Sequence, residues 1–97
     1  MVNLNEIARR TFECAIKRKK TTPHINHTLD AVSLLQELDE FHMADEKKAS
    51  GHIPPYTEAQ EELADILITC LTELYKRGTN IEAIVTQKID FNEQRKP

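Results

Sequence analysis

Apolar side chains recur at the three-to-four-residue spacing of an amphipathic helix in four stretches of the chain, and residues suited to capping or turning lie between them. The first stretch runs from Leu4 to about Lys19 behind Asn3 or Asn5, with Leu4, Ile7, Ala8, Phe12, Ala15 and Ile16 at its apolar positions. Lys17-Arg18-Lys19-Lys20 closes it with cations that suit the negative end of a helix dipole. Thr21 to His24 reads as a turn. A second helix is expected from Asn26 or Thr28 to Ala44, with Leu29, Val32, Leu35, Leu38 and Phe41 as its apolar positions. Thr57, followed by Glu58, Gln60 and Glu61, opens a third that ends near Arg77, with Gly78 as its stop. Its apolar residues Leu63, Ala64, Ile66, Leu67, Cys70, Leu71 and Leu74 cover a broad sector. Asn80 caps a fourth, from Ile81 to about Gln94, with Ile81, Ile84, Val85 and Ile89 expected to face inward. Only Ala44 to Thr57 lacks an apolar period over a long run, and loops of that length are often lids or flexible connections. The pattern predicts an all-α protein with a single domain over residues 1–97 and no internal repeat.

Two acidic stripes interrupt this pattern. Glu62 and Asp65 lie three apart within the stretch Glu61-Glu62-Leu63-Ala64-Asp65-Ile66-Leu67-Ile68, and Glu37 and Glu40 have the same spacing upstream. Residues at i and i+3 share a helix face, so each pair aims two carboxylates at one place. If the two helices pack face to face, four negative charges converge, and a cation must balance them. Hard oxygen donors favour Mg²⁺ or Mn²⁺. Asp39, Glu58, Glu61 and Glu73 are read as solvent-facing or as neighbours of the ligands, with Glu58, one turn before Glu62, the best placed. On the last helix Lys88, Asn92 and Arg95 fall at i, i+4 and i+7 and make a basic face that can clamp a polyphosphate beside a metal.

Composition narrows the possibilities. The chain has 97 residues, two glycines, 30% charged residues and a net charge of −3, which suits a helical protein and argues against a general binder of nucleic-acid polymers. Cys14 and Cys70 stand in separate helices without metal-type spacing or an activating partner, so they are expected to pack in the core of a reduced, intracellular protein. His24 and His27, like His42 and His52, invite a zinc reading, but no Cys or second close pair completes such a site. No secretory leader or membrane-length apolar run is visible, and the expected location is the cytoplasm.

Taken together, Glu37-x-x-Glu40, a connection of about twenty residues, Glu62-x-x-Asp65 within Glu61-Glu62-Leu63-Ala64-Asp65-Ile66-Leu67, Gly78 and Lys88-x-x-x-Asn92-x-x-Arg95 form an ordered set. That set, over about residues 28 to 97, resembles the MazG-type nucleotide pyrophosphohydrolases of the all-α NTP pyrophosphatase superfamily. The family's first acidic motif usually opens on two adjacent glutamates, and here the first is Gln36. The amino-terminal third matches the family poorly.

The resemblance implies a four-helix bundle completed by oligomerisation, as a homodimer or homotetramer, and the broad apolar sector of the third helix points the same way. It implies Mg²⁺-dependent cleavage of a nucleoside triphosphate between its α and β phosphates, releasing the monophosphate and pyrophosphate, in nucleotide-pool house-cleaning. Glu37, Glu40, Glu62 and Asp65 would be the metal ligands, and Lys88, Asn92 and Arg95 the phosphate contacts. Glu37 and Glu40 are the catalytic candidates, with Glu40 favoured to orient or deprotonate the attacking water. Two alternatives stand beside this reading: a phosphoribosyl-ATP pyrophosphatase of the same superfamily, and a non-enzymatic helical oligomer that binds a protein partner.

Overall fold

Helix starts follow from side chains that can satisfy the free N–H groups of a first turn. Asn3 accepts from Glu6 N at 2.9 Å, Asn26 from Leu29 N at 3.1 Å and Asn80 from Ala83 N at 3.1 Å. Thr57 and Gln60 cap reciprocally, the Thr57 hydroxyl accepting from Gln60 N at 3.1 Å and the Gln60 side chain from Thr57 N at 2.9 Å. In the computed structural model, which describes residues 3–96, these caps open four helices: α1 (Leu4–Lys17), α2 (His27–Met43), α3 (Glu58–Lys76) and α4 (Ile81–Glu93). The protein is all-α, with no strand among the described residues and one isolated antiparallel bridge, Ala49 to Thr57. No described helix is long and apolar enough to cross a membrane.

Two helix ends use the same device. After α3, Gly78 adopts φ 69°, Gly78 N donates to Tyr75 O at 2.9 Å and Thr79 N to Leu74 O at 3.1 Å. This double bond around a left-handed residue is a Schellman ending, which glycine adopts without strain. Helix α1 ends likewise at Lys17, two residues before the expected Lys19, because Lys19 itself takes the left-handed position with φ 59°. Lys19 N reaches Ile16 O at 3.0 Å and Lys20 N reaches Ala15 O at 2.8 Å. A lysine there carries a steric cost that glycine lacks. Lys19→Gly is therefore expected to stabilise the fold by about 1 kcal/mol, seen as a higher urea midpoint at unchanged slope.

The chain divides into two compact units, one of Met1–His24 with Leu71–Pro97 and one of Ile25–Cys70. In the first, Ala8, Leu71 and Ile81 are buried, with Leu4, Ile7, Leu74 and Tyr75 packed against them. The Phe12 and Tyr75 rings stand 5.1 Å apart. Buried Thr72 donates to the Thr11 hydroxyl at 3.0 Å, and Thr11 donates to Ala8 O at 2.9 Å, so neither hydroxyl is stranded. The starts of α1 and α4 cap each other: Ile81 N donates to Asn5 at 2.7 Å and Leu4 N to Glu82 at 3.2 Å. Of the apolar positions expected to face inward on α4, Ile81 is buried, whereas Ile84, Val85 and Ile89 are exposed. Cys14 is exposed rather than packed in a core, and Cys70 is half-buried.

The second unit departs further from the expected pattern. On α2 the less exposed stripe is Asp30, Ser33, Leu34, Glu37 and Phe41, while Leu29, Val32, Leu35 and Leu38 lie on the opposite, exposed half. The corresponding stripe of α3 is Glu58, Glu62, Asp65, Ile66 and Thr69, with Leu63, Ala64 and Leu67 outside. The acid-bearing faces are thus the inner ones. The only buried residues described in this unit are Ser50 and Ala59.

Candidate metal centre

The inward turn of the acid stripes brings side chains from two helices together. One carboxylate oxygen each from Glu37 and Glu40 of α2 and Glu62 of α3 lie within 4.8 Å of one another. Glu37 and Glu62 are half-buried and Glu40 is exposed. Glu62 Oε2 is buried and has no hydrogen-bond partner among the described residues. A carboxylate oxygen in that position has lost water and gained nothing in exchange. Its carboxyl accordingly titrates above the usual range, first because burial penalises the charge, then because Asp65, Glu40, Glu61 and Glu37 repel it.

Among the described residues this is the one grouping of three or more His, Cys, Asp or Glu ligand atoms, and it contains no histidine or cysteine. Its donor set is oxygen alone, which suits Mg²⁺ or Mn²⁺. Ligand oxygens on opposite sides of a Mg²⁺ lie about 4.2 Å apart, twice its usual bond length, so a cluster no wider than 4.8 Å needs only small rotations to close on an ion. Asp65 does not belong to the group of three. It lies one turn along α3, half-buried, and its charge acts on Glu62.

Gln36, beside Glu37, is exposed. Lys88 and Asn92 are exposed on α4, and Arg95 follows the helix end in a turn where its N–H reaches Asn92 O at 3.2 Å. Lys88 Nζ stands 4.6 Å from the centre of the Phe91 ring and the Arg95 guanidinium 5.9 Å from it, so both cations lie against one aromatic ring. All three belong to the first unit. His24, His27 and His42 are exposed.

Sequence reading missed a second set of polar contacts, which ties the loop before α3 to that helix. Asp45 accepts from Lys47 N at 2.7 Å and Lys48 N at 2.9 Å, bonds that hold its carboxyl below the usual range. Glu58 N donates to Lys48 O, Ala59 N to Asp45 O and Asp45 N to the Glu58 carboxylate, at 2.9, 3.1 and 3.3 Å. Ser50, buried, donates to Glu61 Oε1 and accepts from His52 N at 3.2 Å and Ile53 N at 3.1 Å. The other Glu61 oxygen lies 2.9 Å from His52 Nδ1. The Ser50 hydroxyl, then His52, keep the Glu61 carboxyl below its usual range, and Glu61 in turn favours the charged form of His52. Glu61, not Glu58, is the acid that fastens the middle of the loop. Its partners are residues 50 and 52, across an irregular segment, so no helical spacing could have disclosed them.

In comparisons with protein-family models, with curated proteins and with solved structures, nothing matches the chain.

Proposed function

We propose that the chain is a Mg²⁺-dependent nucleoside triphosphate pyrophosphohydrolase that cleaves a (d)NTP to the (d)NMP and pyrophosphate, in nucleotide-pool house-cleaning in the cytoplasm. The observation that carries this reading is Glu62 Oε2, buried without a hydrogen-bond partner among the described residues where carboxylate oxygens of three acids lie within 4.8 Å of one another. Like charges so placed raise the energy of the folded chain unless a cation joins them. The MazG-like order of acidic and basic residues, read from the sequence, supplies the reaction class.

Glu37, Glu40 and Glu62 would hold the ion, with Asp65 completing the set by its place one turn from Glu62. Bound there, Mg²⁺ would supply charge neutralisation at the phosphates and a water of lowered pKa. Glu40, the most exposed of the three grouped acids, is best placed to accept a proton from a water arriving from solvent. Glu37 and Glu62, half-buried, are better suited to holding position. Lys88, Asn92 and Arg95 are kept as phosphate contacts on the strength of the sequence motif. Outward-facing leucines on α2 and α3 support a homo-oligomer, a dimer or a tetramer, as the working form.

Pyrophosphate release from a panel of canonical and modified (d)NTPs, with and without Mg²⁺, tests the reading. Release that needs the metal and falls roughly a hundredfold or more in Glu37→Ala is the expected result. A panel on which wild type is inactive, or full metal-dependent activity in the variant, would overturn it.

A further inference from the structure

His52 has one ring nitrogen occupied and the other turned to solvent, an arrangement its surroundings explain poorly as surface decoration. The side chain is 85% exposed, yet Nδ1 is held at 2.9 Å by a carboxylate that is itself only 19% exposed. That carboxylate is fixed from its second oxygen by the buried Ser50 hydroxyl, which also takes the His52 backbone N–H. Backbone, ring nitrogen and supporting acid are therefore all set by one serine and one glutamate. The loop that carries them is pinned on both sides, by Ser50 N to Tyr56 O at 2.7 Å and by Glu58 N to Lys48 O at 2.9 Å. A carboxylate that can only accept hydrogen bonds makes Nδ1 the donor and leaves Nε2 as the atom presented outward. The supporting acid, Glu61, directly precedes Glu62 of the carboxylate group, and the charges of Glu62 and Asp65 act on the ring.

Resting on the reading of the acidic group as a Mg²⁺ centre, we propose that His52, oriented by Glu61 and Ser50, is a further substrate-contacting residue of that centre, donating from Nε2 to a phosphate oxygen of the metal-bound substrate. An anionic ligand suits the site because Glu61 favours the charged imidazole, whose Nε2–H is a donor. Acids alone would repel a polyphosphate, and an imidazole fixed at Nδ1 by Glu61, which donates from Nε2 in its charged form, gives the polyphosphate oxygens a partner the ion does not supply. The same exposure that leaves Nε2 accessible means that replacing the ring disturbs little packing.

The test measures binding of Mg²⁺ alone, and of inorganic pyrophosphate in saturating Mg²⁺, to the full chain by calorimetry in wild type, His52→Ala, His52→Gln and Glu61→Gln. His52→Ala is expected to leave Mg²⁺ affinity within about twofold while weakening pyrophosphate by about tenfold, with KM for the (d)NTP rising more than kcat falls. His52→Gln, which keeps a donor, should recover part of the loss, and Glu61→Gln should fall between. Equal pyrophosphate binding in wild type and both His52 variants overturns the inference while the metal reading stands. Mg²⁺ affinity lost in the His52 variants overturns it too, since the ring would then be holding the ion. A wild type that binds no Mg²⁺ overturns the metal reading, and the inference with it.

Discussion

Glu62→Gln is expected to raise the thermal midpoint of the metal-free protein at neutral pH and, in the same variant, to remove both the stabilisation by Mg²⁺ and the metal-dependent release of pyrophosphate. The substitution keeps the shape of the side chain and deletes its charge, and the amide it introduces can donate to a neighbouring carboxylate. Burial and the charges of Asp65, Glu40, Glu61 and Glu37 push the Glu62 carboxyl above its usual range, so in the folded chain the charged form is disfavoured. The sign follows. Above the raised value the wild type carries a penalty that the unfolded chain does not, and the penalty fades as pH falls through that value. Below the ordinary carboxylate value of about 4.3 both states are protonated and the advantage of the variant vanishes. With metal the order reverses. A ligand bound by the folded state alone contributes about 2.7 kcal/mol at a hundredfold excess over its Kd, roughly 10–20 °C for a domain of this size, and the variant should lose most of it. Scanning calorimetry of both proteins across pH, with and without Mg²⁺, checks both halves. A variant no more stable than wild type without metal contradicts the crowding of charge, and one that keeps its Mg²⁺ response contradicts the site.

What the sequence disclosed and what it hid divide along physical lines. The capping box at Thr57 and Gln60 and the stop at Gly78 are local chemistry between near neighbours, and both stand where the residue types place them. The end of α1 is the same motif without its signature residue, because Lys19 occupies the position glycine usually marks. Acid spacing put Glu37 with Glu40 on one stripe and Glu62 with Asp65 on another; one oxygen each of Glu37, Glu40 and Glu62 meet, and Asp65 stands outside that group. Periodicity found the leucine stripe of α2 but could not say which way it points. Leu29 and Leu35 face outward, on the half of the helix opposite Asp30, Ser33 and Glu37. The loop latch of Ser50, His52 and Glu61 depends on irregular backbone between residues 44 and 57, which no period encodes.

That outward stripe leads to the second large effect: Leu35→Glu combined with Leu67→Glu is expected to reduce the protein to single chains and to cost it much of its helix. Leu29 is 63% exposed, Leu35 62%, Leu67 56% and Leu63 50%, all within the unit whose only buried residues described are Ser50 and Ala59. A helical unit with so little apolar burial of its own lacks the main driving force of folding. Fully burying a leucine contributes about 1.5–3 kcal/mol, so covering four half-exposed ones amounts to several kcal/mol per chain. A second copy presents the same leucines, and a two-fold contact would set like against like. Two glutamates on that surface would bury uncompensated charge against a partner. Light scattering should give wild type a mass of at least two 11.2 kDa chains and the variant the mass of one. The wild-type thermal midpoint should also rise with protein concentration, as it must when association and folding are linked. A wild type that scatters as a single chain at tens of micromolar, with a midpoint indifferent to concentration, would leave those leucines without a partner copy and sink the proposal of an oligomer.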